Sequence, residues 1–162
     1  MLTNPVPCTA FHWQSDTQGR LTISMSKWLE SFQPTTALLL RLALGFALAY
    51  WGWSKVIPAH GAGALSALNH HAAFVHSLGM PYWLGYVSAI TEFLGGICLL
   101  LGLLTRFWAI LGAVNMIFAI CLVTLHHGYQ ASQYPLALTV MALMIASFGP
   151  GALALDRRIG LD

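Results

Sequence analysis

Glu92 is isolated in the sequence. Between Glu30 and Asp156 the chain contains no other Asp or Glu. Glu92 lies near the middle of YWLGYVSAITEFLGGICLLLGLL, Tyr82 to Leu104. That stretch is long enough to cross a bilayer, for which about 20 apolar residues suffice. A carboxylate at mid-membrane depth is costly and faces a partner or a cavity, not lipid. On a helix, Ser88, Glu92, Gly95, Leu99 and Gly102 fall along one stripe. Its mostly small residues mark the close approach of another helix.

Three polar side chains are candidates to meet Glu92. Arg41 lies in the preceding span, offset about 7 Å along the axis at a rise of about 1.5 Å per residue. A bidentate Arg41–Glu92 pair would satisfy both charges where water is scarce. Arg41 would then hold Glu92 ionised, ready to accept a proton or hydrogen bond from a ligand. Asn115, in the following span at similar depth, is placed to donate to Glu92. Lys55 lies further out, at the reach of a water-linked contact. Two readings of this group stand side by side. It fixes helix register, as buried polar devices can, or it forms a polar pocket with Glu92 and Arg41 as the reacting pair.

The histidines form a second set. His70, His71, His76, His126 and His127 gather at one membrane face, where imidazole suits a metal, haem iron or a proton-sensitive gate. Their spacing is poor for ligation. His70 and His71 are adjacent and cannot face one way on a helix, and no Asp, Glu or Cys accompanies them on that side. Interfacial polar residues are the plainer reading; His70, His71, His126 and His127 remain weak metal candidates. Trp51, Trp53, Tyr82, Trp83, Tyr86, Tyr129 and Tyr134 cluster at span ends on the same side. Aromatic belts settle at such interfaces. Trp51 and Tyr86, with Asn115 and Lys55, are the candidate ligand-binding residues if the belt also covers a pocket for a flat quinone head.

Composition names the setting. Hydrophobic residues are 57% of the 162, and charged residues only 7%, against roughly 25% charged in soluble domains. This is an integral membrane protein of one domain. A net charge of +2 without a basic run gives no reason to invoke nucleic acid. Cys98 and Cys121 fall in successive antiparallel spans at depths differing by roughly 13 Å, too far for a disulfide. The absence of CxxC argues against thiol–disulfide exchange. No nucleophile elbow, phosphate loop or dinucleotide fingerprint occurs.

Four spans are expected, at 35–56, 82–104, 107–127 and 134–148, making an all-α four-helix membrane bundle. Residues 1–34 are polar, lack the apolar core of a signal peptide and read as a flexible tail. Trp28, Leu29 and Phe32 are suited to a short surface helix, and Met25 is a plausible alternative start. Pro34 suits the start of span one. Between spans one and two, ALSALNHHAAFVHSL reads as a short helix lying over the bundle mouth or re-entering the bilayer, with Leu65, Leu68, Ala72 and Val75 on one face. Gly128 to Gln133 read as a loop. Arg20, Lys27, Arg106, Arg157 and Arg158 fall on one side and Lys55 on the other. The positive-inside rule puts both termini in the cytoplasm.

Several stretches in order resemble the DoxX-like family of small bacterial membrane proteins: Leu39-Leu40-Arg41-Leu42-Ala43-Leu44-Gly45, then Gly52 and Lys55; Leu78-Gly79-Met80-Pro81; Thr91-Glu92-Phe93-Leu94-Gly95-Gly96; Leu101-Gly102-Leu103-Leu104-Thr105-Arg106; Gly149-Pro150-Gly151; and Leu155-Asp156-Arg157. The resemblance covers roughly Thr36 to Arg158. It implies a four-helix bundle of the bacterial inner membrane and a link to membrane oxidoreductases, including sulfur metabolism with quinones. The function expected is a membrane subunit of a quinone- or sulfur-linked redox complex. The alternatives are a non-catalytic scaffold packed on other membrane subunits, or a small-molecule permease acting as a homo-oligomer.

Overall fold

The computed structural model describes residues 16–58, 63–151 and 153–156. Helices α1 (Asp16–Val56), α2 (Ala64–Ser77), α3 (Tyr82–Leu101), α4 (Thr105–Ala119) and α5 (Tyr129–Phe148) follow one another. Among the described residues, four segments are long and apolar enough to cross a membrane: Ser31–Val56, Tyr82–Leu101, Thr105–His127 and Tyr129–Phe148. The protein is therefore a multi-pass helical membrane protein, and its outer apolar side chains, such as Leu39, Phe46, Ile110 and Val140, are exposed. The chain divides into two units, Met1–Gln33 and Pro34–Asp162, the second of which carries the bundle.

Small residues set the bundle's register. A Cβ on Gly52 of α1 would lie 2.4 Å from the Phe93 backbone nitrogen on α3, and one on Gly96 would lie 2.4 Å from the Ala49 nitrogen. Only hydrogen fits at either place, so the two backbones touch, as small residues permit in membranes. Inside, Leu44 and Leu48 of α1 meet Leu99 of α3, Ala109, Ala113 and Met116 of α4, and Leu138, Ala142 and Ile145 of α5. The α2 helix packs on α3, where a Cβ on Gly85 would come within 2.5 Å of the Ala72 Cα. Ala72 of α2 is fully buried, whereas Leu65, expected on the same face, is exposed.

Three boundaries differ from those expected. The first helix reaches back to Asp16 and runs through Pro34, which therefore lies inside it instead of opening it. Residues 1–15 and Arg157 and Arg158, counted in the orientation argument, lie outside the described residues. Span four begins at Tyr129, so the expected loop shrinks to Gly128 (φ +91°). Pro135 sits in the second turn of α5, near enough to its start to be accommodated, and its carbonyl accepts the Thr139 hydroxyl at 2.7 Å. Span three is not one α-helix. After Ala119 it passes through a π turn, Ile120–Thr124, and a 3-10 turn, Leu125–His127. A π turn adds a residue per turn and rotates everything after it, so Leu122 leaves the face it would share with Asn115 on an ideal helix.

Candidate functional site

Glu92 is almost fully buried, at 4% exposure. It faces other helices, as its stripe of small neighbours leads one to expect, but its partner is not Arg41. Lys55, in the last turn of α1, forms an ion pair with Glu92 Oε2. Asn115 Nδ2 on α4 donates to Oε1 at 2.9 Å. Three helices thus meet on one carboxylate. The Asn115 contact is the one expected from the sequence; the Lys55 contact is direct and needs no bridging water.

The backbone contacts explain why Arg41 is elsewhere. Gly52 lies level with Phe93, so Arg41, eleven residues earlier, sits about 16 Å away along α1 at about 1.5 Å per residue. The expected offset of about 7 Å measures both residues from span ends, which the glycine contacts override. Arg41 is 2% exposed and its Nη1 donates to the Pro150 carbonyl at 2.7 Å. It lies over Gly102, where a Cβ would come within 2.7 Å of Nη1, with the Asp156 carboxylate in electrostatic reach. Asp156 accepts the Leu104 and Thr105 N–H groups at 2.6 and 2.7 Å, capping the start of α4. Its own N–H donates to the Gly102 carbonyl at 3.0 Å. Arg41 therefore belongs to a clasp joining α1, the α3–α4 turn and the segment after α5. It is not part of the Glu92 site.

Beside Glu92 lies a cavity of about 300 Å³ lined by Lys55, His71, Phe74, Val75, Leu78, Met80, Leu84, Ser88, Glu92, Asn115, Phe118, Ala119, Leu122, Val123 and Thr124. Helix α2 covers it, α3 and α4 form its walls, and the π turn supplies Leu122, Val123 and Thr124. The Thr124 hydroxyl accepts from Ser132 of α5 at 3.2 Å, which ties the turn to the bundle. The walls are mostly apolar. Polar groups concentrate where Lys55, Glu92, Asn115 and His71 meet. Ligand sites commonly combine apolar walls with few polar groups in roughly 300–1,000 Å³. A second, open depression lies next to it, lined by Ser54, Lys55, Pro58, Ser66, Ala67, His70, His71 and Phe74. Lys55, His71 and Phe74 belong to both.

Other candidates are placed elsewhere. Trp51 is not among the residues lining the cavity; its ring is half exposed, 5.9 Å from that of Tyr134. Tyr86 likewise turns away, donating to Asn69 Oδ1 at 2.8 Å. His126 is exposed, and His127 Nδ1 bonds the Val123 carbonyl at 2.7 Å. Among the described residues no three of His, Cys, Asp or Glu come together as a metal site, so His70, His71, His126 and His127 do not form one. Cys98 and Cys121 are free thiols. The residues that sequence reasoning misses are Ser88 as a wall of the cavity, legible only as a small stripe residue, and Thr124. Thr124 joins because of the π turn, for which the sequence carries no signal. His71 lies in the cavity, where burial first, then Lys55 and His70, lower its pKa to about 4.

Residues 36–128 match the DoxX family. The chain belongs to that family. It is 30% identical over 128 residues to the protein named "Putative oxidoreductase CatD" from Bacillus subtilis (strain 168), covering 78% of this chain and 88% of that one. No solved structure matches it. Within this DoxX protein the matched region holds Arg41, Lys55, the α2 cover, Glu92 and Asn115, and ends at Gly128, before α5.

Proposed function

We propose that this DoxX protein is a quinone-binding membrane component of an oxidoreductase, with the cavity beside Glu92 as its binding site. The observation that carries this reading is the pairing of an apolar cavity, lined by α2, α3 and the π turn, with one polar end made by Lys55, Glu92, Asn115 and His71. A quinone head is flat and apolar with an oxygen at each end, which such a site suits. The name of the Bacillus relative supports a redox role. A bound quinone would supply a two-electron, two-proton couple. The chain's own residues bind and orient: Lys55 and Asn115 hold the Glu92 carboxylate in place, and the apolar walls exclude water. The arginine-bearing face is cytoplasmic in this reading, the membrane is the bacterial inner membrane, and other membrane subunits carry the remaining redox centres.

The test is purification in mild detergent, followed by lipid extraction, mass spectrometry of co-purifying chains and a borohydride difference spectrum. A quinone recovered with wild-type protein and absent from Ser88→Phe, which fills the cavity, is the expected result. Glu92→Gln is expected to stay folded, because Lys55 keeps 26% of its side chain exposed to water, yet to lose the ligand. Quinone-free protein that takes up neither ubiquinone-1 nor menadione overturns the reading. A stoichiometric large partner without quinone would favour the scaffold role.

A further inference from the structure

Among the described residues, four buried side-chain polar atoms lack a hydrogen-bond partner: Arg41 Nε, His71 Nε2, Thr105 Oγ1 and Trp108 Nε1. Such atoms are rare in folded proteins, and each calls for an explanation. Arg41, Thr105 and Trp108 do not line the cavity; His71 does. The other polar groups at that end already have partners within the protein, since Glu92 takes Lys55 and Asn115. His71 Nε2 is left as the polar atom there without one.

We propose that His71 Nε2 is a ligand-binding atom that holds one oxygen of the quinone head. It donates to the carbonyl of the oxidised ring and accepts from the hydroxyl of the reduced ring. This rests on the quinone reading above and adds to it the residue that recognises the head. A neutral imidazole can do both, because each nitrogen is donor or acceptor according to tautomer. His71 is held neutral by its surroundings: burial comes first, then Lys55 from α1 and His70 beside it on α2. Glu92 of α3 is the acid among the cavity residues and is paired with Lys55, while α4 and the π turn contribute the uncharged Asn115 and Thr124. His71 also lines the open depression, so one ring adjoins both the enclosed cavity and the outer surface.

The test is equilibrium dialysis of ubiquinone-1 against the detergent-solubilised full chain. His71→Phe keeps a ring of similar size without a hydrogen-bonding atom. Loss of one hydrogen bond to a buried group should raise Kd about tenfold. His71→Gln, which can donate and accept, should recover most of that loss, and His70→Phe should bind as wild type. Equal Kd for His71→Phe and wild type overturns this inference and leaves the quinone reading standing. Failure of wild type to bind ubiquinone-1 or menadione overturns both. Should His71→Phe not fold, 15N-histidine spectra of wild type decide, with the His71 signals assigned by their absence in His71→Gln. The Nε2 resonance should move on adding ubiquinone-1, and an unmoved resonance overturns the proposal.

Discussion

Lys55 and Glu92, separated by 37 residues in sequence, form an ion pair between the last turn of α1 and the middle of α3. The two ends of the pair differ in exposure, with 26% of the Lys55 side chain open and 5% of that of Glu92. Removing either partner is therefore not symmetric.

Lys55→Met should be the more damaging of the two. It leaves a carboxylate in a site closed to water with one amide donor, and breaking a buried pair from one side costs about 3–5 kcal/mol. Partial exposure of Lys55 reduces that to about 2–4 kcal/mol. Glu92→Gln should cost less, since the ammonium can turn to water. Thermal unfolding in detergent measures both. Lys55→Met with Glu92→Met should regain most of the loss, because a paired apolar replacement removes the stranded charge. A double variant no more stable than Lys55→Met would refute the pairing argument.

Arg41 and Asp156 are expected to matter for folding and not for the ligand. Asp156→Ala uncaps two N–H groups at the start of α4, a loss of about 1–2 kcal/mol. Arg41→Ala removes the hydrogen bond to the Pro150 carbonyl and leaves a hole over Gly102. Both should lower the thermal midpoint. Ubiquinone-1 affinity of the remaining folded protein should be unchanged, since the clasp and the cavity lie about 16 Å apart along α1. Weakened binding in Arg41→Ala at equal folded fraction would restore Arg41 to the site.

The pH dependence of stability follows from His71. Its pKa is lowered to about 4 in the folded chain, mainly by burial and then by Lys55 and His70, against about 6.5 when unfolded. Above about 6.5 neither state binds the proton, and the full stability is present. Between about 6.5 and 4 the unfolded chain takes up a proton that the folded chain refuses, so stability falls as pH falls. Below about 4 both are protonated and this contribution is flat. The difference in melting temperature between wild type and His71→Gln isolates it. That difference should shift against wild type across this window and stay constant above it. A pH-independent difference would mean that His71 is no more shielded than a surface histidine.

Much of the bundle can be read from residue types, because the bilayer leaves few choices. Long apolar runs must be helices, and a lone acid within one must face inward. That reasoning locates the spans, the inward Glu92 and its Asn115 contact. It cannot rank Arg41 against Lys55 as the partner. Both lie on one face of α1, and only the tight Gly52–Phe93 and Gly96–Ala49 contacts set which of them is level with Glu92. Helix register is a property of two helices in contact, and span ends are a poor origin for it. The π turn is hidden for a related reason. Nothing in ICLVT differs from ordinary helix-forming apolar sequence, and the extra residue is stabilised by packing and by Ser132 bonding Thr124 and the Gly128 carbonyl. The motifs around Arg41, Gly102–Thr105, Gly149–Gly151 and Asp156 look like separate marks along the chain. They are one contact, which gives their joint presence a structural cause.

The cover of the cavity supplies the last test. Helix α2 is held to α3 where Gly85 meets Ala72, and a Cβ at Gly85 would fall 2.5 Å from the Ala72 Cα and 3.1 Å from its Cβ. Backbone cannot yield there as the tip of a long side chain can, so Gly85→Val must lift α2. Overpacking of this kind costs about 1–3 kcal/mol. Because α2 carries His71, Phe74 and Val75 into the cavity, the same displacement should weaken ubiquinone-1 binding while the Lys55–Glu92–Asn115 contacts, made by other helices, persist. Hydrogen exchange should quicken in α2 and not in α4 or α5. Gly63→Ala is the matched control: it precedes α2, has nothing within 4 Å of an added Cβ and has a φ of −56° that alanine adopts freely. If Gly85→Val melts and binds as wild type does, α2 is not the lid of the site, and the cavity it covers would lose its claim to a ligand.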